Sequence, residues 1–194
     1  SLIKGNIIVH CVTLPEGLTN LQIYNIFKKK YGLIHDTLYS LNIYQEGELY
    51  PNTYYYVYGT KVSDLLKQMN LGMKNIIAEE SPKRDTSRIK ELKNILDVLT
   101  LASMIEKETK FHEEKRYIAD VYLNRLKENT LLQSDPTVIY GISNLYMFHR
   151  KVTHNDLKFQ SIYNTYLHLG LPPTPICNPS KSSIISVLHP TQTG

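Results

Sequence analysis

Glu106 and Glu108 sit at the end of a mostly apolar segment, Leu101-Ala102-Ser103-Met104-Ile105-Glu106-Lys107-Glu108-Thr109. A helix that is apolar nearly all round is buried, and carboxylates are seldom placed in a core unless they are paired or have a task. A carboxylic acid in a poorly solvated site holds its proton closer to neutrality and can serve as a proton donor. The pattern predicts a general acid/base glutamate on a core helix. Two residues apart on a helix is about 200° of rotation, so the two carboxylates cannot share one wall of a cleft. Glu106 falls near the stripe Ile95, Leu99, Ala102, and Glu108 falls between Leu101 and Met104. Periodicity leaves open which of them is catalytic and which is an ion-paired group at the helix end.

Two further stretches carry polar chemistry. Gln133-Ser134-Asp135-Pro136-Thr137 is a polar loop feeding a helix N-terminus. Asp135 is expected there as the cap, worth about 1 kcal/mol, which makes it a poor second catalytic acid. Asn164-Thr165-Tyr166, followed by Gly170-Leu171-Pro172-Pro173, puts amide, hydroxyl and ring groups beside a rigid loop. That combination suits orienting a sugar and equally suits turn chemistry. The histidines are scattered, with no His-Glu-x-x-His, no Cys/His cluster, no glycine-rich phosphate loop and no Gly-x-Ser-x-Gly elbow. Neither a metal nor a cofactor is expected.

The elements that must position these residues read as an α+β chain. Residues 7–13 form a β-branched strand, and Thr19 to Gln22 fits a capping box opening a helix to about Lys30. Residues 46–58, with Gly47, Pro51 and alternating tyrosines, read as a turn-interrupted strand pair with Pro51 at an edge or bend. Helices are expected over about 62–80, 87–110 and 113–127, with Asp135-Pro136 and Asn178-Pro179 each opening another. The polar segment 81–87 marks a boundary between a strand-bearing N-terminal lobe, residues 1–84, and a mostly helical half, residues 85–194.

Composition sets limits. The 194 residues are 42% hydrophobic, enough for a core, and 22 basic against 18 acidic residues give a net charge of +4. The basic residues are not gathered into a stripe or tail, which argues against nucleic acid as a partner. Cys11 and Cys177 are too few and too far apart for a disulfide framework and read as separate thiols. No apolar run approaches the roughly 18 residues needed to span a bilayer, and no signal peptide is evident. Fifteen tyrosines and no tryptophan suit either stacking on sugars or half-buried strands.

Taken in order, these segments resemble the YceG-like family of endolytic murein transglycosylases. The matching stretches are Leu14-Pro15-Glu16-Gly17-Leu18, Glu46 to Tyr54, Ala102 to Thr109, Ala119 to Leu126, Leu132-Gln133-Ser134-Asp135-Pro136-Thr137-Val138-Ile139-Tyr140-Gly141, Tyr163 to Tyr166, Gly170 to Pro173 and His189-Pro190. The resemblance implies a lysozyme-like catalytic core in the second half. It also implies a bacterial inner-membrane anchor and a LysM-like part upstream, after which this chain is expected to begin, and a catalytic domain facing the periplasm. The family usually continues past His189-Pro190, so the catalytic lobe is expected to be truncated at its C-terminus.

The resemblance further implies cleavage of the MurNAc-β-1,4-GlcNAc bond in nascent peptidoglycan strands without water, leaving 1,6-anhydroMurNAc ends and terminating glycan elongation, with peptidoglycan synthases as partners. The family's catalytic residue is a glutamate of the Glu-Lys-Glu-Thr motif. Other lytic transglycosylases carry their acid just before a small hydroxyl residue, as Glu108-Thr109 does here. Glu108 is therefore expected as the catalytic residue, Glu106 or Glu114 as alternative or supporting carboxylates, and Gln133, Ser134, Asn164 and Tyr166 as the groups that hold the sugar. The rivals are a hydrolytic muramidase, which needs a second carboxylate for water, and a non-catalytic glycan-binding scaffold.

Overall fold

The computed structural model describes residues 7–36, 43–87, 89–143 and 150–191. Its first core forms around a short antiparallel pair, β1 (Val9–Thr13) and β2 (Thr53–Val57), in register from Val9 opposite Val57 to Thr13 opposite Thr53. Strand β2 alternates as a half-buried strand must: Tyr54 and Tyr56 face inward while Tyr55 faces solvent. Helix α1 (Asn20–Lys28) starts on the expected capping box, with Thr19 Oγ1 accepting from the Gln22 amide and Gln22 Oε1 accepting from the Thr19 amide. Its Ile23 and Phe27 pack with Val12, Leu14 and Leu49 against α2 (Val62–Glu80).

Helix α2 belongs to two cores. Leu65, Leu66 and Met69 complete the first, and Met73 enters the second. The second core surrounds α3 (Ile95–Glu108), whose residues from Val98 to Ile105 are all buried. Around it lie α4 (His112–Lys127), α5 (Asp135–Ser143) and α6 (Lys181–Leu188). The α+β class read from the sequence holds among the described residues, with six α-helices and one two-stranded sheet. No helix among them is long and apolar enough to cross a membrane.

Three expectations are corrected. Residues 46–58 do not pair with each other. Only β2 is a strand, and its partner is β1, because the Tyr50 amide is drawn to Met69 O and Leu14 reaches Asn52 O instead. Helix α3 begins at Ile95 rather than near residue 87, because Asn94 caps it by accepting from the Asp97 amide at 3.0 Å. Helix α6 is capped by Ser180, not by Asn178.

Asn178 instead joins the two halves. Its Oδ1 accepts from the Gly47 and Leu49 amides at 3.1 and 2.9 Å, and its Nδ2 donates to Leu18 O and Asn20 Oδ1 at 3.0 and 2.8 Å. Gly47 is at φ 87°, and a Cβ there would meet Pro175 at 2.7 Å, so the close approach of these segments needs a residue without a side chain. Cys177 is buried beside them and Cys11 is exposed; both thiols are free.

A buried ion pair closes the junction of α3, α4 and α6. Lys115 Nζ lies 3.2 and 3.1 Å from the two Glu106 oxygens and 3.0 Å from both Ser180 Oγ and Ser182 Oγ. The side chains are 1% and 6% exposed, respectively. Glu106 Oε2 also accepts from the Ser180 amide at 2.9 Å and from Ser183 Oγ at 2.6 Å. Burial pushes the Glu106 carboxyl up, but the two serine hydroxyls, the Ser180 amide and the Lys115 charge outweigh it and hold it below its ordinary value of 4.5.

Glu106→Gln leaves Lys115 buried without a counter-charge and is expected to cost about 3–5 kcal/mol in denaturant unfolding. Removing both charges with Glu106→Gln and Lys115→Met should recover most of that loss. Glu106 should also make stability fall as pH drops below 4.5, where the unfolded chain takes up protons first. Unfolding curves of wild type and the double variant across that range check this.

A second titrating carboxyl acts in the opposite sense. Both oxygens of Glu46 face the Asn20 amide at the start of α1, at 3.1 and 2.9 Å. Burial pushes this carboxyl up to about 7, only partly offset by the Asn20 amide. Its protonated form is the one the fold favours, so its contribution is fully present below 4.5 and is lost as pH rises through about 7. Glu46→Gln should abolish that loss, of order 3 kcal/mol, and leave the variant more stable than wild type at pH above about 7.

Candidate active site

Helix α3 delivers Glu108 in its last turn and stops at Thr109, which is extended at φ −143° and ψ 149°. Thr109 Oγ1 accepts from the Phe111 amide and donates to Glu114 Oε2, so the chain turns sharply into α4. Helix α4 then runs back beside α3 and places Tyr117, Ile118, Val121, Tyr122 and Arg125 along an open groove of about 280 Å³, with Glu108 and Gln133 completing the lining. Tyr117 is 63% exposed and offers its ring to the groove. Glu108 is the one carboxylate among these described lining residues.

One oxygen of Glu108 is held firmly. Oε1 accepts from Tyr122 Oη at 2.7 Å and from Ser134 Oγ at 2.7 Å. Tyr122 is buried, and its phenol is pushed far above the ordinary range, first by burial and then by the charge of Glu108. It is therefore a hydrogen-bond donor at any working pH.

Ser134 is 0% exposed. Its amide donates to Thr165 Oγ1 at 2.9 Å and its carbonyl accepts from Thr137 Oγ1 at 2.7 Å. The preceding residue, Gln133, is at φ 54°, in the left-handed region that few non-glycine residues adopt. Its amide is pinned to Thr165 O at 3.1 Å. The turn lets neighbouring residues point opposite ways: Ser134 inward to Glu108, Gln133 outward into the groove. Such local strain gathers at functional sites.

The other residues anticipated from the sequence take different places. Glu106 faces away into the ion pair with Lys115. Glu114 is exposed and engaged by Thr109. Asp135 is the first residue of α5, and its carboxylate accepts from Tyr166 Oη at 2.7 Å rather than acting as a free acid. Burial, the bond to Asp135 and the charges of Asp135 and Glu108 push the Tyr166 phenol up to about 12.

Asn164 is 0% exposed. Its Nδ2 donates to Leu157 O and Phe159 O at 3.0 and 2.8 Å, and its Oδ1 accepts from the Tyr166 amide at 3.0 Å. It shapes the loop that carries Tyr166 and does not reach the groove itself. Sequence reasoning passed over Tyr122 and Arg125. Both lie in the stretch from Ala119 to Leu126, and only the pairing of α4 with α3 gives them a direction. Arg125 is fixed by donating to Leu132 O, on the approach to Gln133.

The chain is similar in sequence and fold to several known proteins. An endolytic murein transglycosylase of Bacillus subtilis (strain 168) is 37% identical over 153 residues, covering 76% of this chain and 39% of the relative. An endolytic murein transglycosylase of Streptococcus pneumoniae (strain D39) is 33% identical over 150 residues, covering 76% of this chain and 26% of the relative. The chain thus spans well under half the length of these relatives. The crystal structure of a putative yceG-like protein from Listeria monocytogenes superposes with a TM-score of 0.74 at 30% identity, covering 94% of this chain and 67% of that one. The YceG-like family model matches residues 1–194, and the chain belongs to that family.

Proposed function

We propose that this chain is the catalytic portion of an endolytic murein lytic transglycosylase, with Glu108 as its single acid and base. The observation that carries the reading is a lone carboxylate among the described groove-lining residues, with one oxygen held by two hydroxyls and the other without a hydrogen-bond partner among the described residues. Glu108, protonated, donates to the glycosidic oxygen between MurNAc and GlcNAc. The C1–O4 bond breaks and its electron pair leaves with GlcNAc. The oxocarbenium-like centre is supported by the substrate's own acetamido group. Glu108, now a carboxylate, takes the proton of the muramyl 6-hydroxyl as the O6–C1 bond forms, which leaves a 1,6-anhydroMurNAc end. One group poised for proton transfer in both directions suffices. A two-carboxylate hydrolysis would need a second acid for water, and the nearby candidates Asp135 and Glu114 already hold Tyr166 and Thr109.

In this reading Gln133 and Tyr117 meet the glycan directly, Tyr117 by stacking its exposed ring and Gln133 by its amide. Ser134, Asn164 and Tyr166 order the wall behind them. The substrate is nascent peptidoglycan outside the bacterial inner membrane, on the periplasmic side, and the whole protein is membrane-anchored. Cutting inside new strands would terminate their elongation, which places the enzyme beside peptidoglycan synthases.

The test is mass spectrometry of glycan products from the full-length protein. Wild type should release strands ending in 1,6-anhydroMurNAc. Glu108→Gln should lose about 10⁴-fold or more in rate, the upper end for general acid/base groups, because one residue serves both steps. Its unfolding midpoint should stay near wild type, since an exposed amide replaces an exposed carboxylate. Anhydro ends released by Glu108→Gln at the wild-type rate would end this reading, and reducing ends from wild type would make the enzyme a muramidase.

A further inference from the structure

The two hydroxyls on Glu108 converge on the same oxygen. A carboxyl oxygen that stays a carbonyl has two acceptor lone pairs. On Oε1, Tyr122 Oη and Ser134 Oγ, each at 2.7 Å, account for both. A proton on Oε1 would have to displace one of them, leaving unmatched a hydroxyl that lies on a side chain 5% (Tyr122) or 0% (Ser134) exposed. Among the described residues, Oε2 has no hydrogen-bond partner.

We propose that Tyr122 and Ser134 are positioning residues that reserve Oε1 as a permanent acceptor, so that Oε2 alone carries the transferable proton in both halves of the reaction. This rests on the reading of Glu108 as the acid and base. The 1,6-anhydro bond forms on the sugar face from which the leaving group departs. One oxygen in one place can therefore serve both transfers: Oε2–H gives its proton to O4 as C1–O4 breaks, and Oε2 takes the proton from O6 as O6–C1 forms. A carboxyl free to rotate would present the wrong oxygen, or the proton on the wrong side, for part of its time. Two donors on one oxygen remove that freedom at no cost to the open side.

The test combines a spectrum with kinetics on the full-length protein, using glutamate labelled with ¹³C at the side-chain carboxyl and purified glycan strands as substrate. The Glu108 band is obtained by subtracting the spectrum of Glu108→Gln. At acid pH, with Glu108 protonated, the C=O stretch of wild type should lie at the low wavenumber of a doubly hydrogen-bonded carbonyl. Tyr122→Phe and Ser134→Ala should each move it to higher wavenumber. Tyr122→Phe keeps the ring that fills the core, and Ser134→Ala checks the result from the other donor. Each should lower kcat about 10- to 100-fold, the worth of one hydrogen bond to a charged group, with KM within about twofold.

A C=O band that moves in neither variant, or a loss confined to KM, overturns the inference. The two failures are distinguishable. An unmoved band together with an inactive Glu108→Gln removes this inference and spares the catalytic reading. Wild-type release of anhydro ends by Glu108→Gln removes the catalytic reading and this inference with it.

Discussion

Lys115 cannot remain an ammonium at 1% exposure without a partner, and Glu106 with the serines at the start of α6 supplies it. The arrangement does more than neutralise a charge. It ties the last turn of α3 to the first turn of α4 and to the cap of α6, and it sets how far α3 is rotated about its axis. With Glu106 turned into the junction, the helical rotation of about 200° across two residues directs Glu108 to the opposite side. Replacing a buried ion pair with apolar residues is often neutral or better for stability, so its value here lies in fixing an orientation. The structural carboxylate aims the one on the groove.

Much of this was legible in the residues. Helix α2 falls where its periodicity puts it, the capping box at Thr19 and Gln22 forms as written, and the apolar run from Val98 to Ile105 is buried on every side. Local signals succeed where the deciding contacts are local. They fail at residues 46–58, where tyrosine alternation and Pro51 suggest a self-paired hairpin but the partner strand lies some forty residues earlier. Asn178 fails for the same reason. Beside Pro179 it has the look of a helix cap, yet its amide is claimed by Leu18, Asn20, Gly47 and Leu49 across the molecule.

The site shows the same division. That Glu106 and Glu108 face different ways follows from helix geometry alone. Which one meets the groove depends on Lys115, nine residues beyond Glu106, and on Ser180 and Ser183, more than seventy residues on. Gln133 and Ser134 were recognisable as polar groups at a helix entrance. Their opposite directions come from a left-handed turn at Gln133, a backbone state no side-chain pattern announces. Asn164 and Thr165 carried the right chemistry for a sugar, but their polar atoms go to holding the loop and the Gln133–Thr137 segment, where a buried polar group must find a partner.

The acidic residues around the motif also constrain the chemistry. Glu106 is matched to Lys115, Glu114 to Thr109 and Asp135 to Tyr166. Each has a fixed structural partner, and detaching it to activate water would undo a helix junction or a loop anchor. Of these four carboxylates only Glu108 lines the groove, and two neutral hydroxyls support it from behind, which can steady a carboxyl in either protonation state. A groove furnished with one such carboxyl suits a reaction whose nucleophile belongs to the substrate, since the 6-hydroxyl is already tethered to the sugar that C1 belongs to. Proximity within the substrate then does what a second carboxylate and a bound water do in a hydrolase.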